Sequence, residues 1–187
     1  MTGGNTTFAP IFHSERLTFT RATSESSKGF WDAEEVFRLC YSTMLKPSDT
    51  FGVAIDEVPN YIVHLGSEPG ERIGLINLCR RVPDVAPDLG FAITEEYRGK
   101  GYGGEAAARV LKYWTEEFGL KEVSLVTGYD NIVAQKTARR AGFVEGGFAL
   151  YLPGKAKVMG FVLPGMKPLD GQDFKFWGDG QVPSATP

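Results

Sequence analysis

The segment Arg98-Gly99-Lys100-Gly101-Tyr102-Gly103-Gly104 constrains the fold of this chain more than any other. Four glycines stand among six residues, with Lys100 and Tyr102 between them. Glycine has no Cβ, so positive φ is open to it and main-chain N–H groups can converge on one point. Residues 88–94 before the segment read as a strand. Residues 103–118 after it carry Ala107, Val110, Leu111, Trp114 and Phe118 at helical spacing. Strand, glycine turn and helix start in succession make a site for an anion of the diphosphate kind. The helix start brings unpaired N–H donors and the positive end of the dipole, and Arg98 and Lys100 bring charge. Glu105 falls in the first turn of the helix, where a carboxylate suits the dipole.

Strand patterns also occur at 17–21, 61–65, 72–79 and 122–127. A hairpin is expected from 148–152 and 158–163 around Pro153-Gly154-Lys155. Helical spacing covers 30–44 and 131–141; Asn131 caps the second and Gly142 closes it. Residues 51–55 are ambiguous and are left unassigned. Successive strands on short loops pair antiparallel, and the strand-helix-strand around the glycines gives one parallel pair. The expectation is a mixed α/β (α+β) domain over 13–166, built on a twisted mixed sheet of six to seven strands with helices on both faces. An arm (1–12) and a tail (167–187) flank it, the tail offering Phe174, Phe176 and Trp177 for docking.

Composition narrows the function. With 187 residues, 42% apolar and 12% aromatic, the chain can build one real core. Its 20 Lys+Arg against 23 Asp+Glu give a net charge of −3, which argues against nucleic-acid binding by bulk charge. No apolar run reaches the ~18 residues of a membrane helix, and the first twelve residues lack the pattern of a secretory signal. Cys40 and Cys79 are isolated, so neither a disulfide framework nor a zinc site is expected, and the compartment expected is the cytoplasm. His13 and His64 have no metal-ligand spacing, so no metal is expected.

The glycine segment is not a Walker A loop. Gly99, Gly101 and Gly104 satisfy G-x-G-x-x-G, but a nicotinamide-binding fold sets those glycines at the end of its first parallel strand. Here a meander precedes them, and residues 94–98 intervene.

Arg98-Gly99-Lys100-Gly101-Tyr102-Gly103 matches the Arg/Gln-x-x-Gly-x-Gly/Ala signature of the GNAT superfamily of acyl-CoA N-acetyltransferases. The chain resembles the RimJ/RimL-type ribosomal-protein acetyltransferase branch at further points. Ser14-Glu15-Arg16-Leu17-Thr18-Phe19-Thr20-Arg21 resembles its opening strand, and Asp88-Leu89-Gly90-Phe91-Ala92-Ile93 the strand before its loop. Gly103-Gly104-Glu105-Ala106 resembles its loop-to-helix joint. Asn131-Ile132-Val133-Ala134 with Ala141-Gly142-Phe143 matches its late helix, so the resemblance runs from about His13 to Gly165.

That resemblance implies acetyl-CoA as co-substrate. The N–H groups of Gly99, Lys100, Gly101, Tyr102, Gly103 and Gly104 would cradle its pyrophosphate, with Arg98 beside them. Phe91, Ala92 and Ile93 would line the pantetheine arm where the strand splays from its neighbour, and an N–H there would polarise the thioester carbonyl. Asn131 would bond the pantetheine, cap its helix, or both. The activity implied is direct acetyl transfer to the primary amine of a small molecule or a protein N-terminus. The alternatives are a CoA-binding module without catalysis and, less favoured, a nicotinamide enzyme.

An alkyl amine of pKa ~10 must lose its proton before attack. Asp88, at a strand start, and His64 are the candidate bases. The tyrosine that many relatives carry seven residues after the asparagine is here Ala138, and the branch's serine three residues after it is Ala134. Tyr129 and Tyr151 are substitute acids, with water the alternative. The acceptor's half of the cleft falls on 30–60, 81–87 and the hairpin, which carry no motif. A homodimer is left open.

Overall fold

The computed structural model describes residues 9–22, 61–67, 70–79, 85–117, 119–152 and 154–175. They hold one nine-stranded sheet in the order β1-β2-β3-β4-β5-β6-β8-β7-β9. The strands are β1 (Ile11–His13), β2 (Leu17–Arg21), β3 (Tyr61–Leu65), β4 (Arg72–Cys79), β5 (Asp88–Ile93), β6 (Ser124–Thr127), β7 (Val144–Leu152), β8 (Ala156–Val162) and β9 (Gln172–Lys175). Helix α1 (Tyr102–Lys112) joins β5 to β6, and α2 (Ile132–Ala141) joins β6 to β7. The meander β1 to β5 is antiparallel throughout. A parallel neighbour needs a crossover, and α1 supplies it between β5 and β6. The helix expected over 30–44 and the unassigned stretch 51–55 lie outside the described residues.

α1 positions the site because its apolar stripe is deep. Ala106, Ala107 and Val110 are fully buried, as is Trp114 in the wider turn (Tyr113–Glu117) that follows the helix. They share one core cluster with Phe12, Phe19, Tyr61, Val63, Ile76, Leu78 and Leu89 from the sheet. α1 packs on β4 and β5 and against α2.

The mixed sheet holds as expected, but it has nine strands rather than six or seven and takes in parts of the expected arm and tail. Phe12 stacks on Phe19 and Tyr113, with ring centroids 4.8 and 4.6 Å apart, and meets Tyr61 edge-on at 4.7 Å. That burial makes Ile11–His13 a strand. At the other end Leu169 is 3% exposed and bonds through its N–H to the Gly146 carbonyl. It lies over Gly160, where a Cβ would come within 2.7 Å of its Cδ1. β9 follows, parallel to β7. β7 begins at Val144, earlier than the expected 148, because a bulge between Glu145 and Phe148 breaks the alternation at two glycines.

Candidate functional site

β5 and β6 pair at Asp88 and Ser124. Ser124 fastens that vertex: its N–H donates to the Pro87 carbonyl at 2.8 Å, and its hydroxyl lies 3.2 Å from the Ala86 oxygen and 3.3 Å from that of Pro87. Beyond the vertex β5 continues to Ile93 and β6 to Thr127, with no further ladder between them among the described residues. β5 stays paired with β4 along its whole length. The Thr94 N–H donates to the Ile73 carbonyl, so by antiparallel alternation Gly90 and Ala92 turn their main-chain groups toward β4. Those of Phe91 and Ile93 turn the other way, into the gap. Gly90, Phe91 and Ala92 are half-exposed in mid-sheet as a result.

At the open end of this gap the chain makes a 3₁₀ turn (Glu95–Tyr97) and enters the glycine loop. Gly99 and Gly101 have φ of +75° and +85°, where a side chain would be strained. Gly101 is the N-cap of α1 and brings no side-chain cap; the first helical bond runs from the Glu105 N–H to the Gly101 carbonyl. The N–H groups of Tyr102, Gly103 and Gly104 therefore stand outside the helix ladder as donors. A Cβ on Gly103 would sit 3.4 Å from the Phe91 ring and 3.6 Å from Ile93, at the mouth of the gap. Arg98 and Lys100 are exposed. The Arg98 Nε donates to the Ile93 carbonyl at 2.9 Å, fixing the side chain by its inner nitrogen. The Arg140 stem passes Gly104, its Cδ 3.8 Å from where a Cβ would be. Donors, cations and absent side chains fit a diphosphate here, and the gap behind them fits an extended arm.

Sequence reasoning missed what holds the loop. Glu105 has more than a dipole role: its Oε1 accepts from the Ser14 hydroxyl at 2.6 Å and the Arg16 N–H at 2.8 Å, and its Oε2 from the Arg16 Nε at 2.7 Å. Arg16 also donates from Nη1 to the Lys100 carbonyl at 3.3 Å and lies over the Tyr102 ring. Burial alone pushes the Glu105 carboxyl up, but the bonds from Ser14 and Arg16 outweigh it and hold it below the ordinary carboxylate value. A contact 89 positions apart leaves no local signal beyond the charges themselves.

Asp88 sits at the vertex, 2% exposed. His64 does not reach the gap. It is buried on β3, and both ring nitrogens are engaged within the chain: Nε2 with the Thr20 hydroxyl at 2.7 Å and Nδ1 with the Gly70 carbonyl at 3.0 Å. Asn131 caps α2, its Oδ1 accepting from the Ala134 N–H at 3.1 Å, which leaves its amide NH₂ for another partner. Tyr129 is exposed on the turn that follows β6. Tyr151 lies on β7, two strands beyond β6, and pairs with Ala156 of β8. Ala138, at the relatives' tyrosine position, is fully buried.

A family model described as an acetyltransferase (GNAT) domain matches residues 13–144. An acetyltransferase from Agrobacterium tumefaciens has the same fold, with TM-score 0.61 at 20% identity over 86% of this chain and 98% of that one. A GNAT-family acetyltransferase from Bacillus anthracis gives 0.59 at 16% identity over 82% and 97%. A Vibrio cholerae protein assigned as a ribosomal-protein-serine acetyltransferase gives 0.56 at 19% identity over 83% and 99%. The splayed parallel pair, the uncapped helix behind a glycine loop and the family match over most of the chain agree: the chain belongs to the GNAT acetyltransferase family.

Proposed function

We propose that this acetyltransferase uses acetyl-CoA to acetylate a primary amine, on a small molecule or a protein N-terminus, by direct transfer. The observation that carries it is the parting of β5 and β6 beyond Asp88 and Ser124, with the glycine loop at its open end. When bound, acetyl-CoA supplies an acetyl thioester open to attack by a neutral amine. The N–H groups of Tyr102, Gly103 and Gly104 receive the diphosphate, and Arg98 and Lys100 balance its charge. The N–H groups of Phe91 and Ile93, turned into the gap, bond an arm laid along β5 as another strand would, and one of them serves the thioester oxygen. The Asn131 amide NH₂ adds a donor from the β6 side.

The acceptor enters protonated and must lose a proton. Asp88 is the carboxylate at the vertex and takes that role here; His64 serves the fold. The departing sulfur gains its proton from Tyr129, on the turn that follows β6. The compartment proposed remains the cytoplasm, from the isolated cysteines.

Turnover of acetyl-CoA against a panel of primary amines and N-terminal peptides, beside calorimetric titration with CoA, tests this function. Acetylated product from at least one amine supports it. CoA binding without turnover of any amine would leave a binding module, and no CoA binding would overturn the assignment of the site.

A further inference from the structure

Arg16, in the turn between β1 and β2, meets three successive loop residues, Lys100, Gly101 and Tyr102, and also Glu105 in the first turn of α1. Its Nε binds the Glu105 carboxylate, its Nη1 donates to the Lys100 carbonyl, its guanidinium carbon lies 4.7 Å from the Tyr102 ring centre, and its Nη2 is 3.5 Å from where a Gly101 Cβ would be. An ordinary surface ion pair would need only the first of these. The Lys100 contact has a geometric consequence. A trans peptide holds its C=O and the next N–H on opposite sides. With the Lys100 carbonyl drawn to Arg16, the Gly101 N–H points away from Arg16, toward the other side of the loop. That peptide turns about ψ of Lys100 and φ of Gly101, and with no Cβ on Gly101 (φ +85°) both signs of φ are open to it, so it can turn over at little steric cost. Turned over, it would present a carbonyl oxygen where an N–H now stands. Glu105 keeps the guanidinium in place: its side chain is 17% exposed and takes three donors from residues 14 and 16.

We infer that Arg16 is a positioning residue for the diphosphate: held by Glu105, it locks the Lys100–Gly101 peptide in the orientation that aims the Gly101 N–H at the anion. The inference rests on the proposed acetyl-CoA site. Lysine at this position keeps the charge but lacks the planar fork, so it cannot serve Glu105 and the Lys100 carbonyl in the same geometry.

The test titrates wild type, Arg16→Gln and Arg16→Lys with CoA, with 3′-phospho-ADP and with pantetheine, recording thermal unfolding of each. Both variants are expected to weaken CoA and 3′-phospho-ADP by ~10-fold and to change pantetheine affinity by less than ~2-fold. In turnover the KM for acetyl-CoA rises and kcat holds. Arg16→Lys supplies the test if Arg16→Gln does not fold. Unchanged CoA affinity in a folded variant, full rescue by lysine, or equal losses for pantetheine and CoA would overturn the role of Arg16 while leaving the site. Failure of wild type to bind any of the three would instead remove the site on which the inference rests.

Discussion

Asp88 and Ser124 mark the point where two parallel strands stop being neighbours: they pair with each other, and beyond them β5 keeps only β4 while β6 keeps β8. A parallel pair normally continues while both strands last, because each unpaired N–H and C=O in a sheet interior is costly. Here Phe91 turns its N–H and C=O into the opening and Ile93 its N–H, the Ile93 carbonyl being taken by Arg98, so the gap is a place for an extended ligand with amides of its own.

Gly103→Glu is expected to abolish CoA binding in a folded protein. Its Cβ would project toward Phe91 and Ile93, so the side chain fills the mouth of the gap and adds negative charge beside the diphosphate. Gly101→Glu should do the same and also lose about 1–2 kcal/mol of stability, because φ there is +85°. Calorimetry with CoA and circular dichroism check both; unchanged affinity in the folded Gly103 variant contradicts the placement.

Activity should rise from acid toward mildly alkaline pH. Asp88→Asn keeps the shape but cannot take a proton, and it is expected to lower kcat about 100-fold and flatten the rising limb. His64→Gln should leave the pH profile alone and cost about 1–2 kcal/mol of stability, through the contacts to Thr20 and Gly70. If Asp88→Asn keeps the wild-type profile, the limb belongs to the acceptor amine and solvent takes the proton.

Tyr129→Phe is expected to lower kcat ~10-fold, and Tyr151→Phe to leave it unchanged, since β7 lies two strands, or about 10 Å, from β6. Steady-state rates decide it. Equal rates for Tyr129→Phe and wild type would make water the proton donor.

Glu105 has a lowered folded pKa, so the stability it contributes is present above its ordinary value of 4.5 and is lost as pH falls through the lower folded value. The gap in unfolding free energy between wild type and Glu105→Gln should hold steady from pH 7 to about 4.5 and shrink below that. Urea unfolding across pH 3–7 measures it, and a gap undiminished at pH 3 would contradict the contacts drawn to Ser14 and Arg16.

What could be read in advance follows from the range of each interaction. The glycine loop announces itself because positive φ, interleaved cations and a helix start are local chemistry; so do the Asn131 cap and the α1 stripe. The partnership of Glu105 with Arg16 does not, because tertiary packing joins them across most of the domain. Ile11–His13 and Gln172–Lys175 are edge strands of three and four residues, too short for a period to show. Val144 and Glu145 were hidden by Gly146 and Gly147, which interrupt the alternation at the bulge. Leu169→Ala tests whether the C-terminal stretch belongs to the core: the cost should be about 2–4 kcal/mol by urea unfolding, against near zero for a loose tail.

Amide hydrogen exchange with and without saturating CoA tests the central claim most directly. Protection is expected to appear together at Phe91 and Ile93, on the gap-facing side of β5, and at Gly101, Tyr102, Gly103 and Gly104, while β9 is unaffected. Protection confined to other elements, or an unchanged exchange pattern at saturating CoA, would contradict the assignment of the gap between β5 and β6 as the acyl-donor site.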